Sequence, residues 1–125
     1  VLAIEGQKNN VRVNALSPTA ATAMTDSLLD AQSKACLTPE SVTPGLLYLV
    51  SEDAPTGIIL GAGAGCFAVA DMVETEGLCL SGDALTPEGV AAHFAEIGAL
   101  QTATPIPTAF EQTFKYVRKA TAGRR

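Results

Sequence analysis

The chain has 125 residues and a mass of 12.8 kDa, enough for one domain around one core and too little for two. Its 47% hydrophobic and 17% charged residues exclude a mainly disordered chain, and no apolar run reaches the roughly 18–20 residues of a membrane-crossing helix. The net charge is −5, with no Lys or Arg between Lys34 and Lys115 and ten carboxylates from Glu40 to Glu111, which argues against a nucleic-acid partner.

The first residues, to about Gly6, are apolar and helix-compatible, and Gly6, Asn9 and Asn10 supply the stop. The chain starts as if in mid-helix, which leads us to expect a fragment of a longer protein. Residues 11–16 alternate apolar and polar positions with β-branched enrichment and predict a strand that Ser17-Pro18 closes. Residues 19–37 carry only a weak apolar stripe (Met24, Leu28, Leu29), predicting a loop and a short, mobile helix.

At Leu37-Thr38-Pro39-Glu40 a favoured N-cap, a proline suited to the first turn and an acid at the positive end of the dipole predict a helix start. Val42, Leu46, Leu49 and Val50 form the expected buried stripe, with Ser51 to Pro55 as the exit. Residues 56–60 read as a short buried strand running into Gly61, Gly63 and Gly65. Over 66–85 the sequence is compatible with a helix at 66–76 and a short strand Leu78-Cys79-Leu80. Leu85-Thr86-Pro87-Glu88 repeats the helix-start tetrad, with Val90, Phe94 and Ile97 on one face. A last helix begins near Thr108, with Phe110, Phe114 and Val117 expected to face the core and a Glu111–Lys115 pair expected on the exposed side. The total is two or three strands and about five helices.

Several apparent sites dissolve on spacing. Gly61, Gly63 and Gly65 follow a strand as a dinucleotide fingerprint does, but the third glycine of that fingerprint would fall at Cys66. His93 is the sole histidine, so the chain cannot build a multi-histidine metal site, and it reads as a boundary or surface helix residue. A triad of Ser81, Asp83 and His93 lacks the G-x-S-x-G context. Tyr116 and Lys119 are one residue too close for a Tyr-x-x-x-Lys pair, and Tyr48 has Glu52 where the lysine would be. Glu52 with Asp53, and Glu74 with Glu76, read as solvated turns. The expectation is no catalytic residue and no metal site. Cys36, Cys66 and Cys79 are odd in number and form no C-x-x-C, which with no visible signal peptide predicts a reducing compartment, the cytoplasm. Five basic residues (Lys115, Arg118, Lys119, Arg124, Arg125) crowd the last eleven positions and read as a solvated helix end.

The order Arg12-Val13-Asn14-Ala15-Leu16-Ser17-Pro18, then Thr22 and Met24-Thr25, then residues 38–51 (TPESVTPGLLYLVS) and Thr56-Gly57, resembles the second half of a short-chain dehydrogenase/reductase. Leu60-Gly61-Ala62-Gly63 and Leu85-Thr86-Pro87-Glu88-Gly89-Val90 extend the resemblance to a hydroxyacyl-CoA dehydrogenase subfamily with a C-terminal extension. The resemblance implies an α/β fold: the C-terminal half of a Rossmann-type doubly wound parallel sheet with a helical C-terminal extension. Residues 1–65 would be the C-terminal part of the NAD(P)-binding domain, with a substrate lid over 25–37, and residues 66–125 the extension.

It further implies that Pro18, Thr19, Ala20, Ala21 and Thr22 lie over the nicotinamide of NAD or NADP, with Pro18 shaping the loop, the backbone of Thr19 to Ala21 at the carboxamide and the Thr22 hydroxyl on carboxamide or phosphate. Thr19 and Ala21 stand where such relatives usually carry glycine. The family's Tyr-x-x-x-Lys would precede Val1. The implied reaction interconverts a secondary alcohol and a ketone in a small-molecule substrate, a 3-hydroxyacyl or 3-oxoacyl thioester, and the chain alone is expected to be inactive. Half a sheet exposes a strand edge and an apolar face, so the expected partners are the missing N-terminal half or copies of the chain in a homo-oligomer. The alternative is a freestanding, non-enzymatic interaction module.

Overall fold

A computed structural model describes residues 1–122, so Arg124 and Arg125 lie outside the described residues. The chain divides into two compact units, Val1–Asp71 and Met72–Arg125.

The first unit is α/β, as expected. Helix α1 (Leu2–Gln7) ends in a turn with Asn10 at a left-handed φ of 54°, and the chain re-enters as strand β1 (Ala15–Pro18). The expected strand over 11–16 is thus displaced toward Pro18. Residues 12–14 lie outside the strand ladder and are held by a loop. Arg12 Nη1 donates to the carbonyls of Ser51 (3.3 Å), Glu52 and Ala54 (3.1 Å). Asn14 donates from Nδ2 to Pro55 O (2.7 Å) and accepts at Oδ1 from Ile58 N–H (3.3 Å).

A 3-10 turn (Asp26–Leu28) and helix α2 (Ala31–Cys36) occupy the predicted loop region, with Asp30 capping α2 by accepting from Ser33 N–H at 2.7 Å. The helix predicted from Thr38 is broken in two, a 3-10 turn (Pro39–Val42) and helix α3 (Thr43–Leu49), because Pro44 needs a first-turn position of its own. Its buried stripe is Val42, Gly45 and Leu49; Leu46 and Val50, expected inside, are exposed. Gly45 decides this: a Cβ there would meet Phe67 at 2.8 Å and Leu60 at 3.2 Å, so the helix approaches the sheet along its glycine.

Strand β2 (Ile59–Gly63) pairs parallel with β1 (Ala15 opposite Ile59, Pro18 opposite Ala62) and antiparallel with β3 (Cys66–Ala70; Leu60 opposite Val69, Gly63 opposite Cys66). Ala64 and Gly65 both have positive φ (51° and 74°), the backbone of a two-residue hairpin turn whose twist matches the strands. The Gly-rich run is therefore a strand and a turn, with no helix after it. The unit reaches Asp71 instead of residue 65 because β3 belongs to this sheet. Leu60 and Ala62 are buried under α3 with Val42, Leu49 and Ala54, and β1 forms the sheet edge.

In the second unit, β4 (Val73–Glu74) pairs antiparallel with β5 (Thr104–Pro105). Helix α4 (Pro87–Ala92) starts where the second tetrad predicts, with Thr86 Oγ1 accepting from Gly89 N–H at 3.0 Å. It yields at His93 to the single turn α5 (Phe94–Ile97). Helix α6 (Ala109–Ala122) is capped by Thr108, whose Oγ1 accepts from Glu111 N–H at 3.1 Å.

The orientation of α6 reverses the sequence expectation. Lys115 is buried at 8% exposure, while Phe110, Phe114 and Val117 are exposed. The polar face (Gln112, Lys115, Tyr116, Lys119) docks instead, bonding the Glu74 carboxylate at the end of β4 and, just after it, the Glu76 carboxylate and three carbonyls. No described helix is long and apolar enough to cross a membrane.

Candidate functional site

The carboxyl ends of the parallel strands β1 and β2 are where a doubly wound sheet presents its ligands, and the segment 18–22 leaves β1 at that end. Its path is set by three backbone anchors. Thr19 N–H donates to Ala62 O (2.8 Å), carrying the parallel ladder one residue past Pro18. Ala21 N–H donates to Leu37 O (2.6 Å), and Thr22 N–H donates to Thr25 Oγ1 (3.0 Å). The Thr25 hydroxyl in turn donates toward Ala20 O (3.4 Å) and Thr22 O (3.2 Å). Thr25 is therefore a positioning residue of this loop, visible in sequence only as part of Met24-Thr25.

Gly63 supplies the floor. A Cβ at position 63 would lie 2.7 Å from Thr19 O and 3.0 Å from Thr19 Cβ, so the loop can lie against β2 only if residue 63 has no side chain. Thr19, Leu37, Gly61, Gly63, Cys66 and Phe67 line a shallow depression beside it.

The five candidate residues thus form one continuous loop, with Ala20 and Ala21 half-buried and Pro18, Thr19 and Thr22 exposed. Neither Thr19 nor Ala21 has a positive φ, so replacing the glycines usual at these positions costs the backbone no strain. The amides of Thr19, Ala21 and Thr22 are used within the chain, so the loop presents chiefly its carbonyls, together with the Thr22 hydroxyl, which can accept or donate. An acceptor-rich edge fits the NH2 group of a carboxamide; it does not form a cradle for phosphate, which needs free N–H groups.

Elsewhere the apparent sites stay apart. His93 is exposed and its Nδ1 lies 2.8 Å from Gly89 O, inside its own helix. Cys36, Cys66 and Cys79 are free and exposed, and no metal-binding cluster occurs among the described residues. Glu74 and Glu76, read from sequence as solvated turns, are paired. Glu74 accepts from Lys115 (2.9 Å), Gln112 and Tyr116 (3.1 Å), and Glu76 from Lys119 (2.7 Å). The hydrogen bond from Lys115, reinforced by Gln112, holds the Glu74 carboxyl below the usual glutamate range, and Lys119 does the same for Glu76. These contacts clamp helix α6 against the stretch that carries the two carboxylates. In the same way two of the five terminal basic residues are spent internally.

No family model matches the chain. It is 32% identical over 115 residues, 90% of this chain and 16% of the relative, to peroxisomal multifunctional enzyme type 2 of Mus musculus. It is 48% identical over 52 residues, 42% of this chain and 18% of the relative, to a protein of Mycobacterium tuberculosis named for the short-chain dehydrogenase/reductase type. Among solved structures, full-length peroxisomal multifunctional enzyme type 2 from Drosophila melanogaster superposes with a TM-score of 0.76 at 25% identity, covering 94% of this chain and 22% of that one. The chain spans a minor part of the length of each.

Proposed function

The chain is related by sequence and fold to the short-chain dehydrogenase/reductases, and we propose that it supplies the nicotinamide-side half of such an enzyme's NAD(P) site. The observation that carries this reading is the loop Pro18–Thr22, pinned by Thr19 and Gly63 at the carboxyl ends of two parallel strands. A nicotinamide cofactor bound there would accept or deliver the hydride. The residues of this chain would orient its ring: Pro18 turns the loop, the carbonyls of 19–21 accept from the carboxamide NH2, and the exposed Thr22 hydroxyl completes the contact. The reaction is the interconversion of a secondary alcohol and a ketone, with a 3-hydroxyacyl or 3-oxoacyl thioester as substrate; the redox step is supported by relatives named as a dehydrogenase/reductase and a hydratase-dehydrogenase-epimerase.

Proton transfer needs a Tyr-x-x-x-Lys helix that these 125 residues do not contain. The chain by itself therefore carries no turnover, and the second half comes from elsewhere. The edge of β1, paired on its β2 side, is the natural place for that half's sheet to continue. Residues 25–37 would act as the lid. The three unpaired cysteines suit a reducing compartment. The cytoplasm specifically draws no support from relatives named for the peroxisome.

The test is complementation. The chain is mixed with a polypeptide carrying a short-chain dehydrogenase's dinucleotide half and Tyr-x-x-x-Lys helix, and 3-hydroxyacyl-CoA oxidation is followed with NAD and NADP. Turnover should appear in the mixture alone and fall about tenfold or more for Gly63→Val, which displaces the loop. Turnover by the isolated chain would overturn the division of labour. A mixture indifferent to Gly63→Val would overturn the loop assignment.

A further inference from the structure

We propose that the lid over 25–37 and the nicotinamide-side loop 18–22 move as one body, joined by Thr25 and Leu37 as positioning residues. The substrate's cover and the cofactor's edge then open and close together, an inference that rests on the assignment of those two segments. Both ends of the lid are bonded to the loop itself. At its start, Thr25 Oγ1 accepts from Thr22 N–H (3.0 Å) and Thr25 N–H donates to Thr22 O (2.9 Å). The Thr25 hydroxyl proton is also within reach of Thr22 O (3.2 Å) and Ala20 O (3.4 Å). At its end, Leu37 O accepts from Ala21 N–H (2.6 Å), which closes residues 21–37 into a compact loop with its neck at the carboxamide edge.

Between those ends the lid is braced. Lys34 Nζ reaches back to Asp26 Oδ1 at 2.7 Å, tying α2 to the 3-10 turn, and Leu37 N–H donates to Ser33 O (2.9 Å), which carries α2 to the neck. A displacement of α2 therefore passes through Leu37 to Ala21 instead of being absorbed by slack chain. The half-buried Leu37 side chain makes a second connection. Its Cδ2 lies 3.5 Å from the point where a Cβ at position 63 would stand, and Thr19 O lies 2.7 Å from that same point. Loop and lid end thus rest side by side on the bare backbone of Gly63. A ligand that favours one arrangement of the loop then favours the matching arrangement of the lid, and the reverse follows by linkage. Cofactor and acyl substrate should accordingly strengthen each other's binding.

The test is hydrogen exchange of the whole 125-residue chain, followed amide by amide by NMR, with the amides of β2 as the folded control. The native chain is compared with Thr25→Val, Thr25→Ser and Asp26→Asn. Thr25→Val should speed exchange about tenfold at Thr22, whose acceptor is gone. A like factor is expected at Ala21, Lys34 and Leu37, whose acceptors are Leu37, Asp30 and Ser33 rather than residue 25, and Thr25→Ser should restore all four. Asp26→Asn removes only the charge that braces Lys34, and should speed exchange about twofold at Ala21 as well as within α2. Release confined to Thr22 in Thr25→Val, or to α2 in Asp26→Asn, would overturn the coupling. The same amides are then followed with NAD in the complementation mixture, where joint protection of Ala21, Lys34 and Leu37 is expected. Protection of Ala21 and Thr22 with the lid amides unchanged would overturn the proposal. Protection of neither segment would overturn the cofactor assignment instead, while the variants of the chain alone still decide the coupling.

Discussion

Lys115 and Glu74, 41 residues apart in sequence, meet at 2.9 Å with the lysine almost wholly out of solvent. Gln112, Tyr116 and Lys119 flank Lys115 on the same helix face, so four polar side chains at i, i+3, i+4 and i+7 fasten α6 to the end of β4 and the segment that follows it. A lysine removed from water must keep both its charge partner and its hydrogen bonds, which makes this contact strict in geometry.

The clamp predicts acid sensitivity of the second unit. The Glu74 carboxyl is held below the usual glutamate range, first by Lys115 and then by Gln112 and Tyr116. An acid depressed in the folded state stabilises fully above its ordinary range, and that stability is lost as pH falls through the folded value. Lys119 gives Glu76 the same sign. Urea midpoints measured from neutral to acid pH should therefore fall on acidification. Glu74→Gln should lower the midpoint at neutral pH and flatten its decline in acid; an unchanged slope would show that Glu74 is not the group.

Two glycines should respond differently to alanine. At Gly63 the obstacle is backbone, Thr19 O at 2.7 Å, so Gly63→Ala should cost about 1–3 kcal/mol and move the candidate loop. At Gly45 the obstacle is the ring of Phe67, a half-exposed side chain able to swing away, so Gly45→Ala should cost less. Chemical denaturation measures both costs, and amide shifts at residues 19–22 should change for Gly63→Ala only.

The two helix-start tetrads should also separate. Thr86 Oγ1 accepts from Gly89 N–H, whereas Thr38 makes no side-chain cap. Thr86→Ala should therefore cost about 1 kcal/mol and Thr38→Ala clearly less, read as shifts in denaturation midpoint.

Arg12 gathers three carbonyls at the exit of α3, from Ser51, Glu52 and Ala54. Arg12→Ala should destabilise the first unit by about 1 kcal/mol, since charge-assisted bonds on a solvent-exposed side chain are partly replaced by water. Arg12→Lys should recover part of this, because all three bonds leave one nitrogen and an ammonium also offers three donors. Thermal melts decide it.

Where a local pattern and a local force coincide, the reading from sequence and the structure agree. The turn after α1, the caps at Thr86 and Thr108, and the unsuitability of Gly61, Gly63 and Gly65 as a phosphate loop all follow from residues within a few positions of one another. The candidate loop was legible as a string of residues, 18–22, but its anchors were not. Ala62, Leu37 and Gly63 are distant in sequence, and nothing in their identities announces that they meet Thr19 and Ala21. Leu46 and Val50 failed as core positions because periodicity cannot say which of two apolar arcs on a short helix meets the sheet. Gly45, lacking a side chain, allowed the close approach.

The sequence by itself determined the α/β class, the helix starts and the family resemblance, because propensity, capping and motif order are encoded by neighbours. The tertiary structure decided which face of α6 is inside. An apolar stripe and a basic stripe lie on opposite sides of that helix, and hydrophobicity alone would bury the first. The carboxylates of Glu74 and Glu76, 41 and 43 residues from their lysine partners, hold the basic face instead, because a side chain drawn out of water as Lys115 is must keep a charge partner, and Phe110, Phe114 and Val117 stay exposed.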